Sequence, residues 1–135
     1  MTLQLSYITL GVADLARAAR FYGQALGLER LKANDELVFF ALGSVRLALY
    51  RRTLLVADAG IDGSGDGFGG SALSVNVASA AAVEQLLQRV PRYGGQRVKA
   101  ASCLPWGGYR GYFTDPDGFL WEAAWHPDYA FHAEE

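Results

Sequence analysis

The sequence predicts an α+β chain built as two tandem βαβββ modules. Three observations carry this. The stretches SYITLGV (Ser6–Val12) and ALSVNV (Ala72–Val77) alternate as half-buried strands do, and each leads into an amphipathic helix. Each helix is followed by three further strand-like segments. The candidate helix N-caps, Asp14 and Ser79, lie 65 positions apart, as a repeated unit requires.

In the first module Ile8, Leu10 and Val12 share one strand face, and Tyr7, Thr9 and Gly11 the other. Asp14 offers an N-cap. Leu15, Ala18, Tyr22 and Leu26 follow at helical spacing, with Ala19 and Phe21 widening the apolar side. Gly27 is a natural helix stop. Leu28–Leu31, Glu36–Leu42 and Val45–Arg51 read as strands, the last two joined by a tight turn near Gly43.

In the second module Ser79 caps a helix over Ala80–Val90, apolar at Val83, Leu86, Leu87 and Val90 and stopped by Pro91. A turn at Gly94 and Gly95 precedes a strand over Gln96–Ala100. Tyr109–Thr114 and Phe119–Trp125 are the last strands, joined by DPDG. Aligning Gly43 with Gly118 gives an offset of 75 for the final strands, so the second module carries an insertion, placed near CLPWGG.

These boundaries give one domain over residues 1–135, with module one at about 3–52 and module two at about 72–127. The segment 53–71 between them is rich in glycine and reads as a flexible linker. Its DGSGDG resembles the start of a calcium loop, but the twelfth position is Leu73 where a bidentate Glu is needed.

The chain has 135 residues, 51% of them apolar and 19% charged, which is a globular composition with enough length for a sizeable core. Net charge is −2, with acidic and basic residues mixed and no basic stripe, so nucleic acid is not an expected partner. No apolar run approaches the ~20 residues that span a bilayer, so no membrane is expected either. The N-terminus lacks a basic leader followed by an apolar block, which makes the cytoplasm the expected location. Cys103 is the single cysteine and reads as a small apolar residue. His126 and His132 read as surface or dimer-contact residues.

The phrase ITLGVADLARAARFYGQALGLE, followed by GYFTDPDGFLWEAAW, resembles the vicinal oxygen chelate superfamily. That group includes glyoxalase I, extradiol dioxygenases, fosfomycin resistance enzymes and bleomycin resistance proteins. The likeness runs from about Leu3 to Pro127, and the DPDG-x-x-x-E ending is its most specific part. It implies that each half curls into an open cup of mixed sheet around a cavity, with the helices on the outer face. It also implies a homodimer. In metal-dependent members, ligands stand on the first and last strands of each half. Transferred to this sequence, those positions are Tyr7, Leu47, Ala72 and Glu122; a slip of two residues places Gly70 at the third.

Of that quartet only Glu122 is a good ligand. A phenol must lose its proton to bind a metal well, and Leu47 and Ala72 have no donor. No cofactor is therefore expected, and a divalent metal is disfavoured. The cavity is expected to be lined by Tyr7 and Thr9, by Leu47 and Leu49, by Ala72, Ser74 and Asn76, and by Leu120, Glu122 and Ala124. Trp106, in the Gly/Pro-rich LPWGGYRGY, is expected at the rim. Trp121 and Trp125 alternate opposite to Glu122 and are expected on the helix side.

An ionised carboxylate in an apolar strand needs a partner. Glu122 has three readings without a metal: an ion pair with Arg110 or Arg46, a contact to a cationic ligand, or a general base. The leading functional expectation is metal-independent binding of an apolar or cationic aromatic small molecule, as in the bleomycin resistance branch. The alternative is a glyoxalase-like lyase or isomerase, or a dioxygenase, using Glu122 as its catalytic residue. A third is a dimeric interaction module whose cup its own side chains fill.

Overall fold

A computed structural model describes residues 5–61, 63, 69, 71–105 and 107–127. It divides into two compact units, Met1–Asp66 and Gly67–Glu135. Each carries one βαβββ module with its own four-stranded mixed sheet. Among the described residues no helix is long and apolar enough to cross a membrane.

The first unit runs β1 (Tyr7–Val12), α1 (Leu15–Arg20), β2 (Arg30–Ala33), β3 (Leu37–Leu42) and β4 (Val45–Arg51). Its strand order is β1-β4-β3-β2, with β1 parallel to β4 and the other pairs antiparallel. The Asp14 carboxylate accepts the Arg17 backbone N–H at 3.0 Å and starts the helix. Past Arg20 the helix widens into a π-helical turn over Phe21–Ala25, closed by Leu26 N–H to Phe21 C=O. Gly27, at φ 69°, ends it. The extra residue in that turn keeps Phe21, Tyr22 and Ala25 all fully buried. They pack with Val38, Phe40, Leu47 and Leu49 of the sheet, and the Tyr22 and Phe40 ring centroids lie 6.4 Å apart.

Two boundaries differ from expectation here. The second strand falls at Arg30–Ala33 rather than Leu28–Leu31, because Leu28 N–H still bonds back to Tyr22 C=O and closes the helix end. The segment read as a flexible linker from residue 53 begins with an eight-residue helix, α2 (Arg52–Ala59), capped by Gly60 in the left-handed region. Its Leu54, Leu55 and Val56 are half-buried. A Cβ on Gly11 would stand 3.1 Å from Leu55, so α2 lies against the end of β1 on the face that Tyr7 and Thr9 share. The glycine-rich composition that follows the short apolar run LLVA hid that helix.

The second unit runs β5 (Leu73–Asn76), α3 (Ala80–Arg89), a 3-10 turn (Val90–Tyr93), β6 (Gln96–Cys103), β7 (Tyr109–Thr114) and β8 (Leu120–Trp125). The order is β5-β8-β7-β6, with β5 parallel to β8. Ser79 Oγ accepts the Ala82 N–H at 3.0 Å and caps α3. Val83, Leu86 and Leu87 of α3 are buried, as are Phe113, Trp121 and Ala123 of the sheet.

β6 is longer than expected, reaching Cys103, and its register against β7 shifts twice. Such bulges bend an edge strand. They bring β6 onto Gly111, where a Cβ would stand 2.7 Å from Leu87 Cδ1 and 2.9 Å from the Lys99 carbonyl, so only glycine fits. Cys103 is exposed rather than packed. His126, expected at the surface or in a dimer contact, is 9% exposed within the chain. Its ring lies over Gly107 and Gly108, whose missing side chains leave the room.

Candidate functional site

The DPDG turn fixes where β8 starts. Asp115 is buried, and its Oδ1 accepts the N–H groups of Asp117 and Phe119, each at 2.9 Å. Gly118 takes φ 90°, and Asp115 N–H closes the turn on Phe119 C=O at 3.0 Å. From Leu120 onward the strand alternates. Trp121 and Ala123 are buried on the α3 side, so Glu122 and its neighbours Leu120 and Ala124 take the opposite face.

On that face the register sets two rows across three strands. Ser74, Glu122 and Tyr112 form one; Asn76, Ala124 and Arg110 form the next. Ser74 Oγ donates to Glu122 Oε1 at 2.6 Å. Arg110 Nη1 donates to Glu122 Oε2 at 3.3 Å and also to the Tyr112 hydroxyl. The guanidinium carbon lies 5.0 Å from the Tyr112 ring centroid, a cation–π contact. The partner of Glu122 is therefore Arg110, not Arg46.

Both ends of the pair are partly open, at 25% and 22% side-chain exposure. A pair so placed is worth about 0–1 kcal/mol, so its role as a stability device is small. What it does fix is geometry: each Glu122 oxygen has a donor, and the guanidinium is held at one edge.

Tyr109, one residue before Arg110, points the other way. Its hydroxyl donates to Glu84 of α3, and that bond, ahead of burial and the Glu84 charge, raises the phenol above its ordinary pKa. Tyr109 thus ties β7 to the helix while Arg110 and Tyr112 serve the opposite face.

In the first unit the face opposite α1 carries Tyr7, Thr9, Phe39 and Ala48. Tyr7 is 50% exposed, and its ring centroid is 5.8 Å from that of Phe39. Thr9 pairs with Ala48, and Ala48 with Phe39. Leu47 is not on this face. It pairs with Phe40 and Ile8, is 0% exposed and belongs to the core beneath α1. Leu49, also 0% exposed, goes with it.

The correction to Leu47 has a definite cause. Ser74 pairs with Glu122, and the 65-position offset carries Ser74 back to Thr9, which pairs with Ala48. The counterpart of Glu122 is therefore Ala48. Aligning the two turn glycines gave Leu47 because the turn at Gly43 and Ser44 is shorter than the Asp115–Phe119 turn. In a strand a shift of one residue changes the face.

Ala72 is exposed and lies one residue before β5 begins. Trp106, His132, Gly70 and most of DGSGDG lie outside the described residues. Tyr112 was not singled out as a site residue. Its signal was available: it stands two positions after Arg110, on the same strand face.

The groups around Glu122 do not make the donor set of a divalent cation. The position opposite on β5 is a serine already bonded to the carboxylate, and the second carboxylate oxygen faces a guanidinium. A metal on Glu122 would meet that positive charge. Ala48, the matching position in the first unit, has no donor atom. Among the described residues no three His, Cys, Asp or Glu side chains gather as a metal site.

A chain of two βαβββ modules, each setting its first strand beside and parallel to its last, defines a class. A family model of the Glyoxalase/Bleomycin resistance protein/Dioxygenase superfamily matches residues 4–123, and the chain belongs to that superfamily. It is similar to a glyoxalase-related enzyme from Fulvimarina pelagi, with 37% identity over 93% of this chain and 90% of that one and a TM-score of 0.87. It is also similar to a lactoylglutathione lyase from Agrobacterium tumefaciens, with 27% identity over 93% and 95% of the two chains and a TM-score of 0.68. Fosfomycin resistance protein FosX from Mesorhizobium loti shares the fold at 20% identity over 95% and 96% of the chains, with a TM-score of 0.68. None of the curated proteins matches the chain significantly.

Proposed function

We propose that this superfamily member binds a small molecule without a metal, on the sheet face that carries Glu122. One observation supports it above the others. Glu122, standing where metal-dependent relatives are expected to keep a ligand, is engaged by Ser74 on one oxygen and by Arg110 on the other. The face that remains is a few polar groups among small and aromatic side chains, the usual make-up of a small-molecule site.

The alternative is lyase, isomerase or dioxygenase chemistry with Glu122 as base. The likeness to a lactoylglutathione lyase favours it. Against it, both oxygens of the carboxylate already accept hydrogen bonds, one from a hydroxyl and one from a guanidinium, which weakens it as a base.

Titration of the protein with small aromatic compounds, followed by tryptophan fluorescence, tests the proposal. Saturable binding that persists in excess EDTA is expected. Binding that vanishes with EDTA and returns with one divalent metal would instead support the alternative.

A further inference from the structure

We infer that the ligand of this face carries an oxyanion, a carboxylate or phosphonate, received by Arg110 and Asn76 over Ala124. The inference rests on the binding role proposed above and names the chemistry of the bound group.

A guanidinium has five N–H donors in a planar fork. In Arg110 only Nη1 is engaged, by Glu122 Oε2 and the Tyr112 hydroxyl. Nε and Nη2, with three N–H groups, meet no acceptor among the described residues. A free fork edge of this kind matches the two oxygens of a carboxylate or phosphonate. The Arg110 side chain is 25% exposed, so the edge is reachable.

The register supplies a second donor. Arg110 and Asn76 both pair with Ala124, one from each side, and share its face. Neighbouring strands lie about 4.8 Å apart, so the two side chains stand about 10 Å apart across a methyl group. The small Ala124 leaves a space between them. The Asn76 amide has no hydrogen-bond partner among the described residues and lines the far side of that space.

Glu122 places a negative charge on the same face, one strand repeat, about 7 Å, from the position over Ala124. It holds the guanidinium still through Nη1, so Arg110 loses little freedom when a ligand arrives. A cationic ligand finds the reverse: Glu122 is already matched, and the free edge of Arg110 repels it.

The test is binding of four matched probes, benzoate, phenylphosphonate, benzamide and benzylamine, to the full chain, read by ligand-observed NMR. Benzoate or phenylphosphonate is expected to bind more tightly than the neutral and cationic probes, and the stronger of the two identifies the anion class. Arg110→Gln is expected to weaken the anion about tenfold while sparing benzamide. Asn76→Ala is expected to weaken it severalfold; it touches no part of the ion pair, so it keeps the test readable if Arg110→Gln does not fold. Glu122→Gln is expected to strengthen anion binding, since it removes the opposing charge. Preference for benzylamine, or anion binding unchanged in both Arg110→Gln and Asn76→Ala, would overturn the inference alone. Failure of all four probes to bind would overturn the binding proposal with it.

Discussion

Trp121→Ala is expected to lower the unfolding free energy by about 3–5 kcal/mol, the range for truncating a large buried aromatic. Trp121 is 1% exposed and is the largest fully buried side chain among the described residues. Its ring lies parallel to that of Phe113, at 7° with centroids 6.2 Å apart, across the β7–β8 pair. Removing it leaves a void between the sheet and α3 that neither Phe113 nor Ala123 can fill. For a domain with about 5–15 kcal/mol of stability, such a loss is a large share of the whole. Urea denaturation followed by far-ultraviolet circular dichroism measures it without relying on the deleted fluorophore. A loss below about 1 kcal/mol would mean that Trp121 is not the core residue described, since surface substitutions stay within ~0.5 kcal/mol. The result also bears on function. Trp121 and Glu122 are consecutive, so the burial of one fixes the direction of the other.

Leu47→Ala carries the second large effect, about 2–5 kcal/mol of destabilisation. Leu47 is 0% exposed, and its strand partners Phe40 and Ile8 lie on the same side of the sheet, beneath α1. A Leu47 lining the ligand face would behave differently: truncation would change ligand affinity and leave the melting temperature nearly unmoved. Denaturation and probe binding measured on one preparation separate the two outcomes. The expected pattern is a large fall in stability, with affinity unchanged for the fraction that remains folded.

The modular plan was legible because it rests on strong local signals. Asp14 and Ser79 announced their helices with side-chain caps, and both caps form. The period-two pattern around Trp121 set the facing of β8 correctly, since a buried tryptophan and an alternating carboxylate leave one arrangement. The same pattern failed at β4 because Leu47, Ala48 and Leu49 are all apolar and all buried. Arg46 and Tyr50 mark the face that Ala48 shares, but the assignment followed turn alignment instead, and turns of different length slipped it by one. The helix α2 escaped for a related reason: its short apolar run was outweighed by the glycines that follow. Arg110 was one of two candidate partners for Glu122; strand register, a long-range property, chose between them.

The central claim is that Arg110 and Ser74 occupy Glu122 in a way that leaves no place for a divalent metal. It is tested most directly by elemental analysis of untagged protein equilibrated with Zn²⁺, Ni²⁺, Mn²⁺ and Fe²⁺ and then dialysed. The account predicts metal far below one equivalent per chain, with no difference between the wild type and Glu122→Gln. Near-stoichiometric metal in the wild type that is lost in Glu122→Gln would contradict it.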